Sequence, residues 1–289
     1  MNTDTTDFKV EDLHIRPAQR DDRGALATLL AGSIHFHQHL DWVSPLELLG
    51  QQPFLIAEIN DTPVACLACP IDPAVVAWIR LYALRSGYHP LQIWSLLWDQ
   101  AESQIVNLGA QFAASIITNY RFTPLVQSSQ FQHTQDVIFL EWAGESAPPS
   151  PPLTGTIRPL KRQDLPQVTH VDQTAFEDIW AYSLETLSSA LQQAAWATVV
   201  ELDGKVIAYQ LTTLAPFGAH LARLAVLPEF QDQHIGRALV TDLLDWACRG
   251  GDLRISVNTQ SDNIKSQRLY QKLGFTPTGL SYPVYRKEL

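Results

Sequence analysis

Cysteine is scarce in this chain of 289 residues, which has three, Cys66, Cys69 and Cys248. An odd and sparse set cannot staple a secreted fold, so a reducing compartment is expected, and with it a cytoplasmic location. Long apolar runs are missing, and no stretch approaches the length that crosses a bilayer, so no membrane partner is expected. The start, Met1 to Asp7, has neither the basic nor the apolar region of a secretion signal. Cations are in deficit: 20 Lys and Arg stand against 30 Asp and Glu, giving a formal net charge of -10. That balance repels a phosphate backbone, which argues against nucleic acid and favours a cationic small molecule or peptide. What is present is apolar material, 46% of the residues, on a length that suits two domains of similar size.

Ala143 to Thr156 holds Pro148, Pro149, Pro151 and Pro152 among Ser, Gly and Thr, a composition that favours extended chain and marks a linker. The sequence repeats itself across it. Ile15-Arg16-Pro17 with Arg20 and Asp22 returns as Ile157-Arg158-Pro159 with Arg162 and Asp164, and Arg80-Leu81 returns as Arg223-Leu224. Each half then reads as helical chain followed by a hairpin, turning at Asn60-Asp61 in the first and at Asp203-Gly204 in the second. The order of elements gives an α/β arrangement, duplicated. The first copy is shorter between the Arg80 strand and its helix, and Pro124 curtails a later one, so chemistry is expected in the second half.

There, the apolar strand His220 to Val226 ends at Pro228, and a loop opens a helix with Leu239, Val240, Leu243, Leu244 and Ala247 on one face. Gly250 and Gly251 close that helix. No Ser, Thr, Asp or Asn sits directly ahead of Gly236, so the helix amides are open to an external anion such as a pyrophosphate, although an ordinary tight turn reads the same way. Further on, Asn263 and Tyr270 are seven residues apart on one side of a helix, with small Ser266 between them, and Gly274 is placed as its stop. An edge tyrosine on an amphipathic helix is the plain alternative.

The run from Leu224 through Gln231, His234 and Gly236 to Ala238 resembles the acyl-CoA loop of the GNAT superfamily, Arg or Gln, two residues, Gly, one residue, then Gly or Ala. Asn263, Ser266, Leu269-Tyr270 and Gly274-Phe275 resemble its second signature. The likeness covers 157–289 well and the first half only in order of elements, a plan similar to tandem proteins such as the mycothiol synthases. It implies two tandem GNAT-like domains, each a mixed, mostly antiparallel twisted sheet flanked by helices. Residues 1–142 form a degenerate copy lacking the acyl-CoA loop, 143–156 the linker and 157–289 the catalytic domain.

By this resemblance acetyl-CoA is the cosubstrate, without a metal, and the acceptor is a primary amine of a small molecule or peptide. Leu224 and Val226 would hold the acyl carbonyl and pantetheine. Gln231, His234, Ile235, Gly236, Arg237 and Ala238 would hold the pyrophosphate, with Asn263 and Ser266 along the arm. Tyr270 would act as general acid toward the thiolate, and His220 is the first candidate base, followed by Glu177 and Asp178. His234 stands where the family has glycine, which is harmless if its backbone angle is ordinary, and Asp232 adds a negative charge that Arg237 offsets. A non-catalytic acyl-CoA sensor or interaction module is the alternative. Three other features carry little. Cys66 and Cys69 read as buried thiols on opposite faces of a strand, His35, His37 and His39 as a helical segment without a metal set, and Trp94 and Trp98 as core or domain interface and not a ligand cage.

Overall fold

The computed structural model describes residues 12–289 apart from 41, 74, 216–217 and 251–253. Met1 to Asp7 and Gly251, read above, lie outside the described residues. The first half of the chain runs β1 (Leu13–Pro17), α1 (Arg23–Gly32), β2 (Ser33–Gln38), β3 (Phe54–Ile59), β4 (Thr62–Ala68), β5 (Val76–Trp78), β6 (Leu81–Arg85), α2 (Pro90–Asn107), β7 (Phe112–Ile116), α3 (Thr123–Ser128) and β8 (Gln132–Trp142). The second runs β9 (Thr156–Pro159), α4 (Leu165–Ala175), α5 (Leu184–Gln193), β10 (Trp196–Leu202), β11 (Lys205–Ala215), β12 (Gly218–Val226), α6 (Ile235–Arg249), β13 (Ile255–Gln260), α7 (Ile264–Lys272) and β14 (Thr276–Glu288).

Two compact units form, but not along the linear boundary expected at residue 142. The first unit ends at Gln135 and also contains Tyr282–Leu289, and the second is Asp136–Ser281. Strand pairing is the reason. Val284 to Glu288 of β14 run antiparallel to Ile116 to Phe112 of β7, whereas Val137 to Trp142 of β8 run antiparallel to Gln260 to Ile255 of β13. Each unit therefore completes a sheet with a strand from the other half of the sequence, because an open edge in either sheet would leave a ladder of backbone groups unpaired.

The repeat in the sequence proves to be a repeated ion cluster. Arg16 lies between Asp22 and Glu58, at 2.7 and 2.6 Å, and Arg158 lies between Asp164 and Glu201, at 2.7 and 2.6 Å. In both copies the aspartate also accepts the backbone N–H three residues before it, from Gln19 and from Lys161. Both glutamates follow a register shift in the hairpin, after Ala57 and after Val200. The hairpins close as expected, with left-handed backbone at Asn60 and Asp61 and at Asp203 and Gly204.

In the second unit β10, β11 and β12 form an antiparallel meander with β9 at one side, and β13 joins β12 in parallel. Leu243, Leu244 and Ala247 of α6 pack with Leu221, Val257 and Phe275 in its core. The first unit repeats the order of this plan but departs from it ahead of the hairpin. Where the second unit has helix α5 ahead of its hairpin, the first has strand β2, so His35, His37 and His39 do not lie on a helix as expected. Ile34 and Phe36 alternate with His35 and His37 along β2, and β6 pairs with it antiparallel. Cys66 and Cys69 do sit in different core clusters, on opposite sides of the sheet, and burial pushes both thiols up to about 12. Trp94 and Trp98 stack at 5.6 Å between ring centroids, inside the first unit's core.

Candidate active site

In the second unit β12 is held by β11 along its whole length, from Gly218 to Val226. On its other side it pairs with β13 only from Ala219 to Leu221, although β13 continues to Gln260 along β8. The register with β11 skips Ala222, a bulge at the point where the parallel pairing stops. Beyond it, Arg223 to Val226 present alternate backbone N–H and C=O groups that no strand among the described residues pairs with. This edge is a template for an extended ligand carrying amides.

The edge leads directly to α6. Asp232 and His234 both have left-handed backbone, φ 59° and 64°, and the His234 side chain does not cap the helix. The condition under which His234 would be harmless, an ordinary backbone angle, is therefore not met, since a side chain occupies the conformation that glycine tolerates best. The turn leaves the first amides of α6, at Ile235, Gly236 and Arg237, without a capping side chain, and Ala238 N–H bonds the His234 carbonyl. A Cβ on Gly236 would lie 3.4 Å from Leu269 Cδ2 and 3.8 Å from Val226 Cγ2, so strand end, loop and α7 meet there. Gln231 donates Nε2–H to the Val226 carbonyl at 3.2 Å, which ties the loop to the strand instead of pointing the amide outward. The Arg237 Nε is buried without a hydrogen-bond partner among the described residues, an orphaned donor beside those amides. Asp232 is offset by Lys265, at 3.3 Å across an exposed gap, and not by Arg237. These groups fit a pyrophosphate: free amides, the positive end of a helix and an unsatisfied guanidinium nitrogen.

On α7, Asn263 is the N-cap, its Oδ1 accepting the Ser266 amide at 3.1 Å, so its oxygen is already committed and its NH2 is what faces outward chemistry. Tyr270 is not marginal. It is 4% exposed, against Phe275, and its hydroxyl makes no hydrogen bond to the described residues. Burial raises its phenol, which therefore stays protonated at neutral pH. His220 lies in the paired part of β12, where Nδ1 is 2.9 Å from Ser256 Oγ, and burial pushes it down to about 4. It is neutral at pH 7 and a weak proton acceptor.

Sequence reasoning missed Asp172. This carboxylate of α4 is fully buried and grips Arg223, one residue before Leu224 on β12. Tyr209 donates its hydroxyl to it, the Tyr182 amide does so at 2.6 Å, and the Trp180 carbonyl accepts from Arg223 at 2.6 Å. The guanidinium is sandwiched between Phe176 and Tyr182, 3.6 and 3.9 Å from their ring centroids. The chain between α4 and α5, which carries Glu177 and Asp178, is thus pinned to the strand that forms the open edge. A lone Arg in an apolar strand was the available signal, because such a charge demands a buried counterion.

The acetyltransferase (GNAT) family profile matches residues 162–275, all within the second unit. A [ribosomal protein bS18]-alanine N-acetyltransferase of Escherichia coli is 31% identical over 120 residues, 42% of this chain and 80% of that protein. A tandem GNAT protein from the clavulanic acid biosynthesis pathway has a similar fold, with a TM-score of 0.67 at 14% identity over 96% of this chain and 98% of that one. So has a GCN5-related N-acetyltransferase from Sphaerobacter thermophilus, with a TM-score of 0.61 at 16% identity over 97% of both chains. With 80% of the Escherichia coli protein aligned, the chain belongs to the acetyltransferase (GNAT) family and is an acyltransferase.

Proposed function

We propose that the second unit transfers an acetyl group from acetyl-CoA to a primary amine, and that this amine belongs to a peptide or protein. The observation that carries the reading is the continuous path from an unpaired strand edge, Arg223 to Val226, to an uncapped helix start at Ile235 to Arg237. In it, the amides of α6 and Arg237 Nε hold the pyrophosphate, and the β12 edge bonds the two amides of the pantetheine arm. A β12 N–H polarises the thioester carbonyl, which supplies the electrophile. The free amine nitrogen attacks that carbonyl carbon and the C–S bond breaks. Tyr270, protonated and without a partner among the described residues, gives its proton to the departing sulfur, and the proton that the nitrogen sheds passes through solvent to restore the phenol. The relative named for acetylating an alanine of a ribosomal protein supports a protein amine as acceptor, as does the acidic surplus of this chain.

His220, held near 4, is too weak a base to strip a proton from an ammonium. The acceptor is therefore taken up as the free amine, which suits an α-amine of reference pKa near 8 better than a lysine near 10.4. The test is thiol release from acetyl-CoA against peptides with free N-termini, lysine peptides and small amines. Turnover confined to free N-termini supports the full reading, turnover only with small amines sinks the protein acceptor, and none with any amine sinks the reaction.

A further inference from the structure

The two units differ most where the second has its open edge. Counting 143 residues back along the repeat, β12 corresponds to β5 and β6 together. Val76 to Trp78 pair in parallel with Phe112 to Ala114 of β7, as Ala219 to Leu221 pair with Ile255 to Val257 of β13. Ile79 stands at the bulge position of Ala222. Past it, β6 has β4 on one side, as β12 has β11. Its other side is not open: Leu81, Tyr82, Ala83 and Leu84 face Gln38, His37, Phe36 and His35 of β2, antiparallel.

The wedge is fastened to both limbs. The His39 amide bonds the Arg80 carbonyl at 2.9 Å, and on the β7 side Thr118 Oγ1 donates to the Gln38 carbonyl at 3.2 Å and Asn119 Nδ2 to the Phe36 carbonyl at 3.1 Å. His37, fully buried, bridges the gap, with Nε2 3.1 Å from the Ile79 carbonyl and 3.2 Å from Ser115 Oγ. The carbonyl can only accept, so Nε2 carries the hydrogen. Phe122 stacks on the imidazole at 4.3 Å. The space left beside His35, Phe36, Tyr82 and Asn119 is about 160 Å3 even with open solvent counted, below the roughly 300 Å3 at which ligand pockets begin. The helix behind is also unsuited to phosphate: only residues 86–89 separate β6 from α2, against 227–234 in the second unit, and Pro90 offers no N–H at its first turn.

We infer that strand Ser33–Gln38 is a permanent internal occupant of the first unit's thioester cleft, taking by backbone pairing the place of a pantetheine arm, so that the chain holds one CoA. This rests on the proposed function for the meaning of the open edge in the second unit. The strand satisfies the same edge that a ligand satisfies there, and it does so with a core strand's hydrogen bonds and a buried imidazole, so no ligand at millimolar concentration competes with it.

Hydrogen exchange on the full chain, with and without coenzyme A, together with calorimetric titration of coenzyme A, tests this. Peptides spanning 33–38 are expected to exchange about 100-fold or more slower than an exposed loop, as core strands do, with no change on adding CoA, while peptides spanning 222–238 slow down when it binds. Calorimetry is expected to give one site per chain, and Gly236→Glu, which puts a carboxylate at the phosphate position, is expected to leave none. Loop-like exchange across 33–38, faster exchange there with CoA, two sites per chain, or a site surviving in Gly236→Glu would each overturn the inference. Absence of any binding to the unaltered chain would instead sink the proposed function, and the exchange of 33–38 would still decide whether the cleft is filled.

Discussion

Asp172 grips Arg223 through two parallel hydrogen bonds, 2.7 Å from Nε to Oδ2 and 2.8 Å from Nη2 to Oδ1, with 0% and 8% of the two side chains exposed. Burial and the neighbouring Asp172 carboxylate raise the Tyr209 phenol well above its ordinary value, which keeps it a donor to the same carboxylate. Removing one charge would strand the other in the interior. Asp172→Asn is expected to cost about 3–5 kcal/mol in urea unfolding. The double change Asp172→Leu with Arg223→Met is expected to be milder, since no charge is left unmatched. A double variant less stable than Asp172→Asn alone would show that packing, not charge matching, governs this place.

Tyr270→Phe removes a hydroxyl that has no partner among the described residues while keeping the ring against Phe275. Turnover is expected to fall by about 10²–10⁴-fold with CoA affinity within about threefold of the original, read by thiol release and calorimetry. Equal loss of affinity and turnover would move Tyr270 from proton donor to ligand support.

His234 holds left-handed backbone at φ 64° with an exposed side chain. His234→Gly relieves a strain of about 1–2 kcal/mol against an added chain entropy of about 0.5–1 kcal/mol. The net expectation is a slight gain in melting temperature and unchanged CoA affinity. A clear loss of affinity would mean that the imidazole itself touches the phosphates.

Two acid dependences should appear, both losses of stability toward low pH but from opposite causes, one a charge disfavoured by burial and the other a charge favoured by its partner. Burial pushes His37 and His39 down to about 3 and His220 to about 4, whereas in the unfolded chain they titrate near 6.5. Their contribution is complete above pH 6.5. Below that the unfolded state binds more protons than the folded one, so stability falls with pH by roughly 1 kcal/mol per unit for each, down toward pH 4. The Arg16 and Arg158 hydrogen bonds lower Asp22 and Asp164, whose contribution fades only at more acid pH. Melting temperatures between pH 8 and 4 check this, and a flat curve from 7 to 5 would mean that the three imidazoles keep their solvation on folding. Activity should follow another course, with kcat/KM rising up to the acceptor amine's own pKa.

The duplicated plan, the hairpin turns and the path from the His220 strand to the α6 start could be read from residues because each is local: Asn60-Asp61, Asp203-Gly204 and Gly236 act through their own backbone. Tyr270 was legible as a helix-edge residue, yet its near-complete burial depends on Phe275 and the surrounding core. Asp172 was not legible, because its partner is 51 residues away and nothing in α4 distinguishes it from a surface acid. β2 was misread for a related reason. His35 to His39 show no decisive period, and the edge that makes them a strand is supplied by Leu81 to Leu84. Local propensity gave way to tertiary pairing.

The crossed allocation of β8 and β14 bears on how this protein can be handled. Severing it in the proline-rich stretch near Pro149 would give an N-terminal fragment without Tyr282–Leu289 and a C-terminal fragment without Asp136–Trp142. Each piece would carry a raw seam and the other's missing part, so the fragments are made for one another: soluble when co-produced, sticky when made alone. A genetic rearrangement appending 282–289 to residues 1–135, with 136–281 expressed by itself, is the dissection that respects the way this molecule is sewn.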